Sequence, residues 1–513
     1  MEDEAKLRGS HDGHTLAQAS SFTRRMASRS PGSSERTVIT SVSGNGQILG
    51  MTKAVSVRAP DLDALQGVIA GEVILPGLPD YETARKAAIA RFHHVRPRAV
   101  VLCATPADVA ETISFARRSG LPAVPRSGGH CFAGQSSTEG IVIDVSPMNT
   151  VSVSGGVAKI GAGARLGDVY DALNEHDLTM AAGCGPEVGI AGLTLGGGLG
   201  ILGRKYGLTS DQLLGAQVVL ADGRVVECDA HHDEELFWAL RGAGGGSFGV
   251  VTSFAFRALP APAATTFHLT WPYEHAATIV DAWQRWSPAA PDEMAASLLV
   301  TASGNPDKPP RVNVFGAMLG GEPETAGLLG QLVTRIVVDP ASDSRLHMPY
   351  RDAKRHLAEH GPGDDHPEDA HPFSKSEFFR QPLPGEAVAA LLENLSRERA
   401  PGQARELDFT PWSGAYNRVP ADATAFVHRS ELFLLKQAAV IDSGASTSER
   451  EAAGGWLAHS WASVHPWGSG GVYPNFPDPD LEDPGHAYYG TNYDRLLRVR
   501  ERYDPHGVFR LLP

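Results

Sequence analysis

Cysteine is scarce in this chain: four residues in 513, at Cys103, Cys131, Cys184 and Cys228, none of them in a Cys-x-x-Cys pair. The scarcity argues against a disulfide framework, and the missing pairs argue against a zinc ribbon. No apolar run is long enough to cross a bilayer. Basic charge is also in deficit. The net charge is −14 and the isoelectric point about 5.8, which disfavours nucleic acid and anionic membranes as partners. Arg24 and Arg25 form a twin arginine, but polar residues follow where an export signal carries an apolar stretch. The segment reads as a tail, and a cytoplasmic protein is expected.

What remains is the composition of a soluble globular protein, 42% hydrophobic and 20% charged. The length exceeds one ordinary core, so two or three domains are expected. Glycine (56) and proline (36) are plentiful, which suits tight turns more than long helices. Residues 1–58 carry little periodicity and read as a disordered tail. "DYETARKAAIARFHH" has helical spacing. "AVVLCATPADVAETISFARRSGLPAV" reads as strand, helix from Thr105–Pro106 to Arg118, a stop at Gly120, and strand. "GIVIDVS", "TVSVSG" and "VAKIGAG" are short strands, and "RLGDVYDALNEHD" is a helix. "GAQVVLADGRVVECDA" has the form of a hairpin turning at Asp222–Gly223. Composition shifts near Pro260–Pro262, a plausible domain boundary. Beyond it, β-rich segments alternate with helices around Thr325–Ile336 and in "GEAVAALLENLSRE", interrupted by an acidic loop, "GPGDDHPEDAHP". A final helix ends at Asp504–Pro505.

Three glycine-rich loops stand out, around Gly128–Gly129, Gly189–Gly200 and Gly242–Gly249. Backbone amides in such loops bind phosphates without a lysine, and a dinucleotide with a pyrophosphate and a flat ring would use all three. Gly198, Gly200 and Gly203 also fit G-x-G-x-x-G, with Asp222 near the position of a ribose-binding acid. That alternative, a nicotinamide-dependent Rossmann dehydrogenase, conflicts with its context: Asp222 falls in a hairpin turn, and Gly207 would stop the crossover helix. His93–His94 and His231–His232 lack metal-ligand spacing and read as surface residues.

"PRSGGH", "VGIAGLTLGGGLG" followed by "RKYGLTSD", "DEELFWALRGAGGGSFGVVTSFAF", and the terminal "YPNF" and "YYGTNYDRLLRVRERYDP" together resemble the berberine-bridge-enzyme-like flavin oxidases, part of the wider vanillyl-alcohol-oxidase group. The resemblance runs in order from Leu78 to Phe509. It implies an α+β fold in which a PCMH-type FAD-binding domain is built from residues 59–262 and 461–513. An antiparallel β-sheet substrate domain flanked by helices, residues 263–460, is inserted between them.

It further implies FAD held by an 8α-histidyl bond to His130. The expected cofactor contacts are Arg126, Ser127, Gly128, Gly129 and Cys131 around that histidine. Gly189, Ile190, Gly192, Gly196, Gly197 and Gly198 follow in the second loop, then Gly249 and Val251, with Asn475 at the ring's pyrimidine edge. Many relatives carry a second link from a cysteine directly before P-x-V-G. Here that place is Gly185, with Cys184 one residue earlier, so a single link is expected and a second through Cys184 is the alternative.

The implied reaction is oxidation of an alcohol, hemiacetal or amine of a small molecule, with hydride passing to flavin N5 and dioxygen leaving as hydrogen peroxide. In some relatives a glutamate after an His-Arg pair is the base, and the matching position here is Gln437, an amide that cannot serve. Others use a tyrosine where this chain has Leu199. That leaves Tyr473 as the expected base, needing a positive group or the flavin to lower its pKa from about 10. A non-catalytic flavin- or ligand-binding protein is the remaining rival. A monomer or homodimer is expected, with no metal.

Overall fold

The computed structural model describes residues 61–360 and 370–509. The expected N-terminal tail and most of the acidic loop lie outside the described residues. Residues 61–513 form one compact unit carrying two large separate cores.

The first core begins with a four-stranded sheet ordered Glu72–Ile74, Ala99–Leu102, Ile141–Asp144, Ala123–Arg126. The last three strands are parallel and the first is antiparallel. Ile141–Asp144 is buried along its whole length, which matches the consecutive apolar residues Ile141, Val142 and Ile143. Helix Pro106–Ser119 starts where expected: Thr105 and Asp108 form a reciprocal capping box, and Gly120 ends it at φ 64°. The Asp108 carboxylate also accepts the backbone N–H groups of Ala70 and Gly71 at 2.8 and 3.1 Å, tying this helix start to the preceding segment.

A five-stranded antiparallel sheet follows, ordered Val151–Ser154, Val157–Gly161, Val250–Arg257, Leu213–Val219, Val225–Asp229. The Asp222–Gly223 turn joins its last two strands, with Gly223 at φ 88°. This pairing overturns the Rossmann alternative, because the strand that would carry the ribose acid is antiparallel and no crossover helix precedes it. Gly203–Tyr206 is only a four-residue turn of helix. The C-terminal helix Tyr493–Tyr503 returns to this core, burying Leu496, Val499 and Tyr503.

The second core lies beneath a seven-stranded sheet ordered Ser342–Pro349, Ala263–Pro272, Arg311–Met318, Met294–Ala302, Gln403–Pro411, Phe433–Ile441, His371–Phe379. Every pairing in it is antiparallel. Alternation divides its residues between two faces. Leu407, Phe409, Phe433 and Leu435 meet helices Ala276–Trp286, Glu322–Ile336 and Gly385–Ser396. Leu434 and Phe378 face the other way, into an aromatic cluster with Trp412, Tyr416, Phe426 and Tyr473.

Two buried arginines join the sheet layer to the glycine-rich segment. Arg204 donates to the carbonyls of Ser287, Pro288, Ala290 and Met294. Arg429 forms a two-pronged pair with Asp211 at 2.8 and 2.7 Å.

One expected helix is absent. "DYETARKAAIARFHH" forms Tyr81–Ala84 and a single turn at Ala90–Phe92. Tertiary contacts override the helical spacing: the Arg85 guanidinium donates to the carbonyl of His93, the Tyr81 hydroxyl to that of Pro97 at 2.6 Å, and the Ala88 N–H to that of Gly129 at 3.2 Å. No helix among the described residues is long and apolar enough to cross a membrane.

Candidate functional site

A cavity of about 770 Å³ opens where the three glycine-rich loops meet the C-terminal return. The first loop leaves strand Ala123–Arg126, the second surrounds helix Ile190–Leu195, and the third precedes strand Val250–Arg257. The first two interlock backbone to backbone: a Cβ on Gly128 would stand 2.3 Å from the Gly189 nitrogen, and one on Gly189 would stand 2.2 Å from that of Gly128. Only glycine permits this approach.

His130 lies on the cavity wall together with Ser127, Gly128, Gly129, Cys131 and Cys184. Burial holds its imidazole pKa below the ordinary value, with the Glu187 carboxylate opposing and the Arg165 guanidinium reinforcing the shift. Those two charges pair with each other beside it. A neutral imidazole keeps a nucleophilic ring nitrogen. Cys184 is partly exposed, and the ammonium of Lys354, itself bonded to the carbonyls of Ala182 and Gly183 at 2.7 and 2.6 Å, lies 3.9 Å from its sulfur.

Gly189, Gly192, Gly249, Val251, Tyr473 and Asn475 also line the cavity. Four expected contacts do not. Ile190 is fully buried in the first core. Gly196, Gly197 and Gly198 sit behind the wall: Cβ atoms there would meet the Asn475 amide at 2.1 Å, the Phe426 ring at 3.1 Å and the Thr209 hydroxyl at 2.3 Å. Close packing against side chains, not a ligand, demands glycine in that run.

Arg126 contributes to the wall, with its guanidinium donating to the carbonyls of Ala84, Arg85 and Ser136. Asn475 is committed too, donating to the Leu193 carbonyl at 2.9 Å and the Tyr473 hydroxyl at 3.0 Å.

Tyr473 is nearly inaccessible, at 1% exposure. Its hydroxyl oxygen accepts from the backbone of Gly198 at 3.0 Å and of Leu199 at 3.1 Å, and from Asn475. Burial outweighs these donors and pushes its pKa up to about 12, with no cation contributing. Gln437 alternates with Leu434 and Lys436 along its strand, which turns it toward the helix-covered face and away from Tyr473; its Oε1 is buried without a hydrogen-bond partner.

Residues that the sequence had not singled out complete the cavity. Tyr488 exchanges hydrogen bonds with the Asp478 backbone at 2.7 and 3.2 Å, and Tyr489 donates to the Ala243 carbonyl at 2.8 Å. Phe476 meets Phe132 edge-on at 5.9 Å. The adjacent tyrosines Tyr488 and Tyr489 and the Pro-Asn-Phe-Pro stretch of the C-terminal segment were the available signal.

The cavity suits a flat ring joined to a pyrophosphate. Its volume falls within the usual range of about 300–1,000 Å³ for cofactor sites. Gly192 lines it, and a Cβ there would meet nothing within 4 Å, so the missing side chain leaves space that a ligand can fill. Aromatic and apolar side chains and glycine backbone all line it, which suits a flat ring and a phosphate chain respectively.

Two family models match the chain: an FAD binding domain over residues 97–229 and "Berberine and berberine like" over residues 472–512. YvdP of Bacillus subtilis, an uncharacterised FAD-linked oxidoreductase, is 33% identical over 450 residues, 86% of this chain and 97% of that protein. A chitooligosaccharide oxidase of Gibberella zeae is 29% identical over 440 residues, 81% of this chain and 86% of its own. The solved structure of wild-type Physcomitrella patens BBE-like 1 superposes with a TM-score of 0.79 at 26% identity, covering 88% of this chain and 99% of that one.

Proposed function

The chain belongs to the berberine-bridge-enzyme-like FAD-linked oxidoreductases, and from that premise we propose that it oxidises an alcohol, hemiacetal or amine carbon of a small organic molecule, with dioxygen as terminal acceptor and hydrogen peroxide as product. The cavity fits FAD, and the carrying observation is His130 on its wall, kept neutral by burial at the lip of interlocked glycine loops.

Bound FAD supplies a two-electron acceptor at N5. His130 would hold it through an 8α-histidyl bond, its neutral imidazole being the form able to add. Cys184 shares the cavity with His130; we take a single tether as the reading, because covalent geometry tolerates little displacement. Gly128, Gly129 and Gly189 shape the floor beneath the cofactor, and Gly192, Gly249 and Val251 continue it. Residues 59–262 and 461–513 form the cofactor-binding part in this reading, and residues 263–460 cover the ring with their sheet.

Tyr473 and Asn475 act as a bracket. Their mutual bond and their bonds to Leu193, Gly198 and Leu199 fix the second glycine loop at one end of the cavity. A phenol whose pKa is pushed up to about 12 stays protonated at neutral pH, so Tyr473 would serve as the base only with the bound flavin or a positive group beside it.

The test is anaerobic mixing of the purified yellow protein with cellobiose, chitobiose, coniferyl alcohol and benzylamine, followed by admission of air. Bleaching by one of them, with colour and stoichiometric peroxide returning in air, supports the oxidase. Bleaching without rapid return of colour makes it a dehydrogenase. A yellow protein that no oxidisable alcohol, sugar or amine bleaches leaves the flavin-binding rival.

A further inference from the structure

The two edges of the seven-stranded sheet differ. At one, strand His371–Phe379 is covered: the Phe378 N–H donates to the Gly471 carbonyl at 2.9 Å, the Ser469 N–H to the Phe378 carbonyl at 2.8 Å, and the Arg91 guanidinium to the Pro372 carbonyl at 3.3 Å. At the other, strand Ser342–Pro349 pairs with Ala263–Pro272, and among the described residues no strand pairs with its outer side. We propose that this outer side is the interface of a homodimer. Two copies of Ser342–Pro349 pair antiparallel about a two-fold axis at Ser344 and join their sheets into one.

An open edge is normally blunted by a bulge, a lysine, a proline or a covering segment. Ser342–Pro349 runs in unbroken register with its neighbour, has no lysine, and carries proline only at its last position. Ser342, Asp343, Ser344, Leu346, His347 and Pro349 are all exposed. Leu346, at 45% exposure, is an apolar side chain that a neighbouring strand would cover.

The ladder dictates which main-chain groups point outward. The Tyr350 N–H donates to the Pro262 carbonyl at 3.0 Å, one step beyond the Ala263–Pro349 pair. The Leu346 carbonyl accepts from the Thr266 hydroxyl at 3.3 Å. Even-numbered residues therefore turn their N–H and C=O groups inward, and alternation turns those of Asp343, Arg345 and His347 outward. A second copy can exchange bonds only between odd-numbered residues, so the two-fold axis must pass through a residue rather than between two. Centred on Arg345 it would set two guanidiniums opposite each other, and centred on Asp343 two carboxylates. Centred further along, it would meet Pro349, which has no N–H to give. Centred on Ser344, Asp343 of each copy faces the partner's Arg345, and each such pair exchanges two N–H···O bonds.

Asp343 and Arg345 already pair within one chain at 2.5 Å, so the dimer closes two such pairs into a ring of four alternating charges. Exposed ion pairs add little affinity. Backbone bonds and strand burial hold the two copies, and the charges fix their register. The cavity loops meet the opposite edge of the sheet, so pairing here leaves the cofactor site as it is in one copy.

The experiment is sedimentation velocity of the full-length protein over a range of concentrations, with amide hydrogen exchange at the highest and lowest. The wild type is expected to sediment at twice 54.4 kDa and to dissociate on dilution. The amides of Asp343, Arg345 and His347 should exchange more slowly in the dimer, and those of Ser344 and Leu346 should not change. Asp343→Arg places like charges opposite each other at both symmetry-related pairs and should raise the dissociation constant about tenfold. Adding Arg345→Asp to it exchanges the charges and should restore the wild-type value. Flavin content should be the same in all three proteins. A monomer at every concentration, a mass that keeps growing, a dimer indifferent to Asp343→Arg, or protection confined to other segments would each overturn the proposal. The wild-type exchange pattern decides the matter even where a variant misfolds.

Discussion

Adding a side chain at Gly192 should fill the cofactor's space without disturbing the fold. Gly192 sits within helix Ile190–Leu195, and a Cβ there meets nothing within 4 Å. Gly192→Ala should therefore stabilise the apoprotein by about 0.5–1 kcal/mol, the usual gain of alanine over glycine in a helix. Gly192→Leu should fold equally well but project into the cavity. It forfeits the stabilisation that bound cofactor confers on the folded state.

Gly196, four residues on, provides the opposite case. A Cβ there stands 2.1 Å from the Asn475 side-chain oxygen, so Gly196→Ala must displace an amide that donates to Leu193 and Tyr473. The expected loss is about 1–3 kcal/mol for the donors left unsatisfied. The assays are the visible-to-ultraviolet absorbance ratio for flavin content and denaturant unfolding for stability. Full flavin content in Gly192→Leu, or wild-type stability in Gly196→Ala, would refute the assignment of one wall as cofactor space and the other as packed interior.

Two further predictions concern buried groups. Tyr473→Phe removes the acceptor shared by Gly198, Leu199 and Asn475 and should cost about 1–3 kcal/mol in denaturant unfolding; wild-type stability would contradict its role in fixing the second glycine loop. His428 is buried against Phe378, with Nε2 3.0 Å from the Tyr488 carbonyl, and burial lowers its pKa from 6.5 to about 3. The unfolded chain thus binds a proton that the folded protein refuses between those values, so stability falls with pH below 6.5 by about 1.4 kcal/mol per unit. His428→Asn should flatten the acid limb of the stability curve by that slope, and an unchanged limb would contradict the buried neutral histidine.

Local signals were legible where they are local in origin. The Thr105–Pro106 helix start, the Gly120 stop and the Asp222–Gly223 turn each depend on a few adjacent residues, and each forms as read. The segment from Tyr81 to His94 was not legible, because its spacing is helical while Arg85 and Tyr81 reach carbonyls up to sixteen residues away. The glycine run misled for a related reason: a requirement for glycine is visible in sequence, but not whether a ligand or a neighbouring side chain imposes it. At Gly196, Gly197 and Gly198 the neighbour is Asn475, Phe426 or Thr209.

Gln437 shows what a linear match leaves out: alternation with Leu434 and Lys436 turns it to the helix-covered face, and that facing is fixed only by the register of its strand in the sheet.

The most direct test of the central claim, that the glycine-lined cavity holds FAD on His130, is acid precipitation of the purified protein followed by peptide mass mapping of the pellet. The account predicts yellow colour retained in the pellet and the flavin mass on the His130 peptide, with the Cys184 peptide unmodified. Colour released to the supernatant, with an unmodified His130 peptide, would contradict it.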